Sequence, residues 1–239
     1  MEIFFIILMG LIFGSFLNAW ALRTIKNESI NKGRSKCPQC NHQLSWRDLV
    51  PVLSWLILKG CCRYCHQKIS WQYPVVEVVT ALLFLGLYVK FGLSLNFFVA
   101  SLVSSFLILI FLTDTRAYVI PDIFVILGIV AALGVQFFLA TSITIVLLGA
   151  LIGGGFFLLQ YLFFGEEWVG IGDSGVGALV GVLVGYPLIF TVLVGAYLSA
   201  GFVMVCALFF GKKQWFSKVP LGSFLVATAW VVWYCNLFY

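Results

Sequence analysis

The sequence is short of charge. Its 239 residues include 9 acidic and 14 basic side chains, so only 10% of the chain is charged, whereas 62% is hydrophobic. A soluble domain of this size needs a much larger polar surface, so the composition excludes that class and makes the lipid bilayer the expected solvent. The few charged stretches separate long apolar runs, and these runs set the expected number of membrane crossings.

The apolar runs predict eight transmembrane helices. A crossing needs about 20 apolar residues, and four runs fit a single crossing each: 3–22, 74–89, 91–113 and 219–239. Two further runs, 123–165 and 174–211, are each long enough for two crossings. They break at turn-forming residues, near 141–142 in the first and at 185–187 in the second. We therefore expect an all-α polytopic membrane protein of about eight helices.

The basic residues predict an orientation. Nine of the 14 lie within 23–72, and alternation through eight spans brings Arg116 and the lysines at 212, 213 and 218 to the same side, with only Lys90 opposite. The positive-inside rule makes that side cytoplasmic and leaves both termini outside. The net charge of +5 favours anionic lipid and gives no particular case for nucleic acid.

Three regions follow from this pattern. We expect a first helix at 1–22, a cytoplasmic cysteine-rich loop at 23–72 and a seven-helix membrane domain at 73–239. The first apolar run is expected to be retained rather than cleaved as a signal peptide, because Glu2 precedes it and the positive charges follow it.

The loop carries five of the seven cysteines, in the pattern of a metal site. Cys37 and Cys40 form one C-x-x-C pair, and Cys62 and Cys65 form another after 21 residues. Two such turns can close a tetrahedral thiolate site on Zn²⁺, which is structural because no ligand position stays open. Two disulfides are the alternative, but the reducing cytoplasm disfavours them.

Smaller details of the loop also lead to expectations. Asn41 and His66 each follow a second cysteine and are expected to adopt positive φ, which assigns His66 a conformational role. Cys61 as a replacement for Cys62, and His42 as a ligand, remain alternatives. The other two cysteines, Cys206 and Cys235, lie in apolar spans and are expected to be packing residues.

Acids at the membrane edge are costly and usually functional. The candidates are Glu77, Asp114, Asp122, Asp173 and the pair Glu166-Glu167. The pair is most simply a solvated loop. Asp122 and Glu77 are expected in the first turns of their helices, where an acid favours the helix dipole and a cap is the simpler explanation.

Asp114 and Asp173 have a more specific arrangement. Asp114 closes the third span, at a negative helix end, whereas Asp173 opens the sixth, at a positive end. This polarity predicts a protonated Asp114 beside an ionised Asp173, sharing one water, which is the apparatus of aspartic peptide hydrolysis. Gly170 and Gly172 would let an extended substrate approach. A structural turn explains this "GIGD" stretch equally well on physical grounds.

Four motifs together resemble the type IV prepilin peptidases, also called leader peptidase/N-methyltransferases. They are "GLIFGSFLNAWALR" in the first span, the cysteine block ending at Glu77, "TDTRAYVIPD" at 113–122, and "GIGD". The resemblance implies an inner-membrane aspartic endopeptidase that removes the basic leader of prepilins or pseudopilins after a glycine, in type IV pilus assembly or protein secretion. It also implies methylation of the new N-terminus with S-adenosylmethionine in many members.

The resemblance assigns roles to particular residues. The two catalytic aspartates fall on Asp114 and Asp173. Beside them we expect Gly170, Gly172, Asp122 and Glu77 to support the active site. The zinc-type cysteines fall on Cys37, Cys40, Cys62 and Cys65. The chain lacks a glycine-rich nucleotide fingerprint, so methylation rests on the resemblance alone.

One departure keeps other functions open. The family usually continues GxGD with x-Lys-Leu, whereas this chain has Ser174-Gly175-Val176. A catalytically lapsed assembly scaffold is therefore one alternative. An ion- or proton-coupled transporter that uses the membrane acids is another, although no inverted repeat is evident in the sequence.

Overall fold

A computed structural model describes residues 1–29, 35–37, 39–166, 169–210 and 219–237, and the regular secondary structure of these residues is almost entirely helical. Six charged residues named in the sequence analysis lie outside the described ranges: Lys32, Arg34, Glu167, Lys212, Lys213 and Lys218. The five basic ones supported the expected topology, and Glu167 was a candidate acid. The described helices are α1 Glu2–Ile25, α2 Leu53–Ile57, α3 Gln72–Phe91, α4 Leu95–Ala117, α5 Asp122–Phe138, α6 Ile143–Phe164, α7 Ile171–Val184, α8 Leu188–Phe209 and α9 Leu221–Asn236.

Eight of these helices are apolar, as the sequence predicts. Five of them, α1, α3, α4, α6 and α8, are long and apolar enough to cross a membrane, while α5, α7 and α9 are shorter. The two long apolar runs divide at 139–142 and 185–187, where the turn-forming residues lie. The expectation of an all-α polytopic membrane protein is confirmed.

The chain forms two compact units, Met1–Leu93 and Ser94–Tyr239. In the first unit α1 packs along α3. A Cβ added to Gly10 would lie 2.5 Å from the Cα of Ala81, and one added to Gly14 would lie 2.7 Å from the Cα of Glu77. Glycines at these positions therefore permit close backbone contact, as small residues do between membrane helices.

In the second unit α7 packs against α5, α6 and α9, while α4 packs against α5 and α9. The contact between α6 and α7 is also built on glycines, because a Cβ on Gly177 would collide with the carbonyl oxygen of Gly153, and one on Gly181 with that of Gly149. This packing brings the C-terminal end of α4 and the N-terminal ends of α7 and α9 together, and these three ends carry the site described below.

The units follow a different boundary from the predicted regions. Residues 73–91 belong to α3, which packs with α1 in the first unit rather than with the helices that follow. The division into a first helix, a loop at 23–72 and a seven-helix peptidase domain at 73–239 stays a prediction about function.

Candidate active site and candidate metal centre

The two C-x-x-C turns of the first unit have the same backbone geometry. The N–H of Cys37 donates to the carbonyl of His42 at 3.0 Å, and the N–H of Cys62 donates to that of Gln67 at 2.9 Å. Asn41 has φ 56° and His66 has φ 56°. The predicted positive φ values are confirmed, and each turn therefore presents its two sulfurs from one tight hairpin.

The sulfur atoms of Cys37, Cys40, Cys62 and Cys65 all lie within 4.8 Å of one another. Those of Cys37 and Cys65 are 3.9 Å apart, close to the roughly 3.8 Å that separates two ligands 2.3 Å from a tetrahedral zinc ion. All four are free thiols, and Cys37 and Cys62 are buried. This cluster could hold a metal ion, and its donor set is compatible with zinc.

The four thiols also shift one another's pKa values, because they lie close together. Burial raises the pKa of Cys37, but backbone hydrogen bonds at Cys40 and Gln39 outweigh it and lower that pKa to about 7. A backbone hydrogen bond at Gln67 lowers the pKa of Cys65, but burial and the other three thiols outweigh it and raise that pKa to about 12. Deprotonation of all four thiols would therefore be favoured by a metal ion bound between them.

The two alternative ligands lie elsewhere. Cys61 directs its sulfur to the carbonyl oxygen of Lys59, 3.7 Å away, and the four-sulfur cluster contains Cys62 instead. The ring of His42 lies against that of Tyr64, with centroids 3.7 Å apart. The structure therefore favours the four-cysteine set over either alternative.

Asp48, which was not among the residues expected from the sequence, joins the second cysteine turn to the segment before it. Its side chain is 3% exposed and accepts from Nε of Arg63 at 2.7 Å, and from the N–H and Oγ of Ser45 at 3.1 and 2.7 Å. Burial raises the pKa of Asp48, but these hydrogen bonds outweigh it and hold the pKa below its usual range. The Ser45-x-x-Asp48 spacing of a capping box is the signal that could have found it.

Glu77 anchors the loop rather than capping its own helix. Because α3 begins at Gln72, Glu77 lies in the second turn, one turn later than expected. Its side chain is buried, forms a hydrogen bond with Ser15, and accepts the N–H of Val52 at 2.7 Å. Val52 has φ 59°, which is costly for a β-branched residue, so Glu77 stabilises a strained turn of the loop. Its predicted support of an active site stays a prediction.

The aspartates of the second unit lie at the helix ends that the sequence predicts. Asp114 is in the last turn of α4, and its carbonyl accepts the N–H of Tyr118, which ends the helix in the left-handed conformation. Asp173 is the third residue of α7, and its Oδ2 accepts the N–H of Gly170 at 3.1 Å. Asp114 is 5% exposed, and Asp173 is partly exposed.

The two carboxylates border one small space beside Gly222. The position that a Cβ on Gly222 would occupy is 3.2 Å from Oδ2 of Asp114 and 3.3 Å from Oδ1 of Asp173. The distance between these oxygens cannot exceed the sum of the two lengths, so both acids face the same small space. The structure therefore brings together the two aspartates that the sequence singles out.

A third helix end, which the sequence analysis missed, completes this arrangement. Ser223, in the first turn of α9, donates both its N–H and its Oγ to Oδ2 of Asp114, each at 2.6 Å. Asp114 therefore lies at the negative end of α4 and also at the positive end of α9. The expected assignment of a protonated Asp114 beside an ionised Asp173 was based on α4 and α7 alone, and it stays a prediction.

The remaining predicted positions have simpler surroundings. A Cβ on Gly172 would lie 3.2 Å from the Cβ of Ile120, so this glycine makes room for the connection between α4 and α5. Asp122 is exposed at the first residue of α5. Glu166 accepts from the hydroxyl of Tyr161 at 3.3 Å. Of the predicted supporting residues in this unit, Gly170 is the one that contacts an aspartate carboxylate, through its N–H.

Comparisons with known proteins agree with this picture. The model of the bacterial Peptidase A24 N-terminal domain matches residues 8–91. The chain is 34% identical to a prepilin leader peptidase/N-methyltransferase of Myxococcus xanthus over 75% of its own length and 55% of the relative's. It is 41% identical to one of Bacillus subtilis, over 48% of the chain and 46% of the relative.

A third relative is covered more fully. The type 4 prepilin-like proteins leader peptide-processing enzyme of Escherichia coli is 33% identical, over 74% of this chain and 74% of the relative. The chain spans about half the length of the Myxococcus and Bacillus relatives. No solved structure gave a significant match. On this similarity the chain belongs to the prepilin leader peptidase/N-methyltransferase family.

Proposed function

We propose that this protein is a membrane aspartic endopeptidase that cleaves the leader of type IV prepilins or pseudopilins. The observation that carries the proposal is the pair of carboxylates from α4 and α7 that border one space beside Gly222. Family membership supplies the substrate class, because the relatives are named for prepilin leader processing.

The pair is suited to hydrolysis of a peptide bond. One carboxylate takes a proton from a water molecule as the water attacks the scissile carbonyl carbon, and the other donates a proton to the carbonyl oxygen. Collapse of the tetrahedral intermediate breaks the carbon–nitrogen bond: the carboxyl group that took the water's proton donates it to the leaving amine, and the other carboxylate takes back a proton from the hydroxyl that becomes the new carbonyl. Asp114 and Asp173 act as a unit that shares one proton, so neither is assigned permanently as acid or base.

The proposed setting is the cytoplasmic face of the bacterial inner membrane. The substrate's apolar helix packs among the membrane helices, its basic leader stays in the cytoplasm, and the bond after a glycine meets the acid pair at the boundary. The basic residues of the cysteine loop orient the protein with this loop inside and both termini outside, and they favour anionic lipid.

The proposal also includes a structural metal site and a second activity. The four cysteines hold a structural Zn²⁺, because their closed tetrahedral set leaves no open position for catalysis. The relatives' names include N-methyltransferase, so we propose that S-adenosylmethionine supplies a methyl group to the new N-terminus.

The missing lysine does not count strongly against cleavage. The family lysine would align with Gly175, two residues after Asp173, and residues two apart do not share a helix face. A Cβ on Gly175 would lie 3.1 Å from Cγ1 of Val125 on α5. This position therefore contacts α5, which makes a lapsed scaffold a weaker alternative than the departure from the motif suggests.

The direct test is cleavage of a prepilin by the purified protein in lipid. We expect Asp114→Asn and Asp173→Asn each to lower kcat by at least about 10³-fold, because each removes one proton-transfer group. Glu166→Gln is the matched control, an acid of the loop between α6 and α7, and should cleave at the wild-type rate. Full activity in either aspartate variant would refute the paired-acid mechanism, and ion flux without cleavage would favour the transporter alternative.

A further inference from the structure

We propose that the start of α9 completes the acid pair, with Ser223 as a positioning residue for Asp114 and Gly222 as the position whose missing side chain leaves room for the attacking water. The proposal deepens the proposed peptidase function and rests on it.

The contacts of Ser223 fix one oxygen of Asp114. Both the N–H and the hydroxyl of Ser223 donate to Oδ2 at 2.6 Å, and Ser223 is 2% exposed. The N–H groups in the first turn of a helix have no intrahelical acceptor. The carboxylate of Asp114 therefore accepts an otherwise unpaired N–H of α9, and this contact fixes the carboxylate in place. Two donors on one oxygen prevent rotation of the carboxylate and keep its orientation toward Asp173 constant.

Gly222 faces both acids at once. The point 3.2 Å from Oδ2 of Asp114 and 3.3 Å from Oδ1 of Asp173 is where the methyl group of an alanine would lie. A water molecule that hydrogen-bonds both oxygens needs to be about 2.8 Å from each, and this methyl group competes for the same space. An alanine at 222 is therefore expected to displace the shared water.

The fold itself should tolerate that alanine. Its closest neighbour would be Cδ1 of Ile120, at 2.9 Å, which is the end of a flexible side chain and can move aside. Alanine is also a better helix former than glycine. Gly222→Ala is thus expected to separate the chemistry from the stability of the protein.

The first experiment measures prepilin cleavage in lipid by the full chain and its variants. We expect Gly222→Ala to lower kcat at least about 100-fold, the smallest effect typical of a lost proton-transfer step, with KM, thermal unfolding midpoint and metal content unchanged. The matched control is Gly201→Ala in α8, where an added Cβ meets nothing within 4 Å, and it should retain wild-type kcat. Wild-type kcat in Gly222→Ala would overturn the role of this position.

The role of Ser223 is tested by removing its hydroxyl group. We expect Ser223→Ala to lower kcat about 10-fold and to change the pH–rate profile, because one of two donors to Asp114 is lost, while Ser223→Thr, which keeps the hydroxyl, restores both. An equal loss in the alanine and threonine variants, or an unchanged pH profile in the alanine variant, would reject a positioning role.

A second readout does not depend on cleavage. The infrared carboxyl band of Asp114, identified by its absence in Asp114→Asn, should shift in Ser223→Ala and stay in place in Gly201→Ala. An unshifted band would overturn the role of Ser223. A folded wild-type protein that does not cleave would overturn the peptidase proposal and the role of Gly222 with it, while the infrared band would still decide on Ser223.

Discussion

Several carboxylates of this chain accept backbone N–H groups and hold the segments that carry them. Glu77 accepts the N–H of Val52, Asp48 that of Ser45, and Asp114 that of Ser223. A hydrogen bond stabilises by about 0.5–1.5 kcal/mol net, and a buried N–H left without its acceptor costs about 1–3 kcal/mol. At the residue scale, therefore, these acids fix local geometry, and in Asp114 the same contact also orients a proposed catalytic group.

Glu77 offers a prediction at this scale. Replacement by glutamine keeps the size of the side chain but replaces one of its two acceptor oxygens, one of which accepts the N–H of Val52 at 2.7 Å, by an NH2 group that donates. We expect Glu77→Gln to lower the free energy of unfolding by about 1–2 kcal/mol and to increase proteolysis in the segment around Val52. Chemical denaturation and limited proteolysis in detergent measure these effects. Glu28→Gln, at an exposed position, is the control, and equal stability of the two variants would contradict the anchoring role.

At the scale of the helix, sequence reasoning succeeds where the cause is local. The lengths of the apolar runs and the turn residues at 185–187 set the helix ends, and the spacing of the cysteines sets the two turns at Asn41 and His66. The contact between Asp114 and Ser223 joins residues 109 positions apart. It depends on how α9 packs against α4 and α7, which no local pattern reports.

The same limit applies to glycines. Gly222 resembles many other glycines in the sequence, and only packing reveals that both acids lie beside it. The signal that precedes it, Pro220 at the start of a helix, predicts where α9 begins but does not say what that end contacts. The two aspartates could therefore be selected as candidates from the sequence, because each lies at a predicted helix end. The contact of the start of α9 with both acids is known only from the structure.

Packing of α6 against α7 gives a prediction at this scale. A Cβ on Gly177 would collide with the backbone of Gly153 and would lie 2.7 Å from the ring of Phe157, and backbone cannot move aside as a side-chain end can. We expect Gly177→Ala to lower the free energy of unfolding by about 1–3 kcal/mol, measured by thermal and denaturant unfolding in detergent. Gly155→Ala in α6, where an added Cβ meets nothing within 4 Å, should be at least as stable as wild type. Similar stability of both variants would contradict this account of the helix contact.

At the scale of the whole molecule, the metal cluster and the acid pair belong to different compact units. All four cysteines lie within Met1–Leu93, and Asp114, Asp173 and Ser223 lie within Ser94–Tyr239. Within the described ranges, the contacts that hold each site lie inside its own unit, so loss of the metal removes none of the described contacts that hold the two aspartates.

Because the two sites lie in different units, metal removal tests whether cleavage depends on the metal cluster. We expect about one zinc per chain in the wild type and almost none in Cys37→Ser or Cys65→Ser, because three thiolates bind zinc more weakly and metal binding is coupled to folding of the loop. Elemental analysis measures the metal, and limited proteolysis measures the loop. Cys206→Ser, in α8, is the control and should keep its zinc.

Cleavage should persist in the metal-free variants, because the groups that hold the acid pair are intact. Loss of cleavage in step with the zinc would instead show that the loop takes part in binding the substrate or in orienting it.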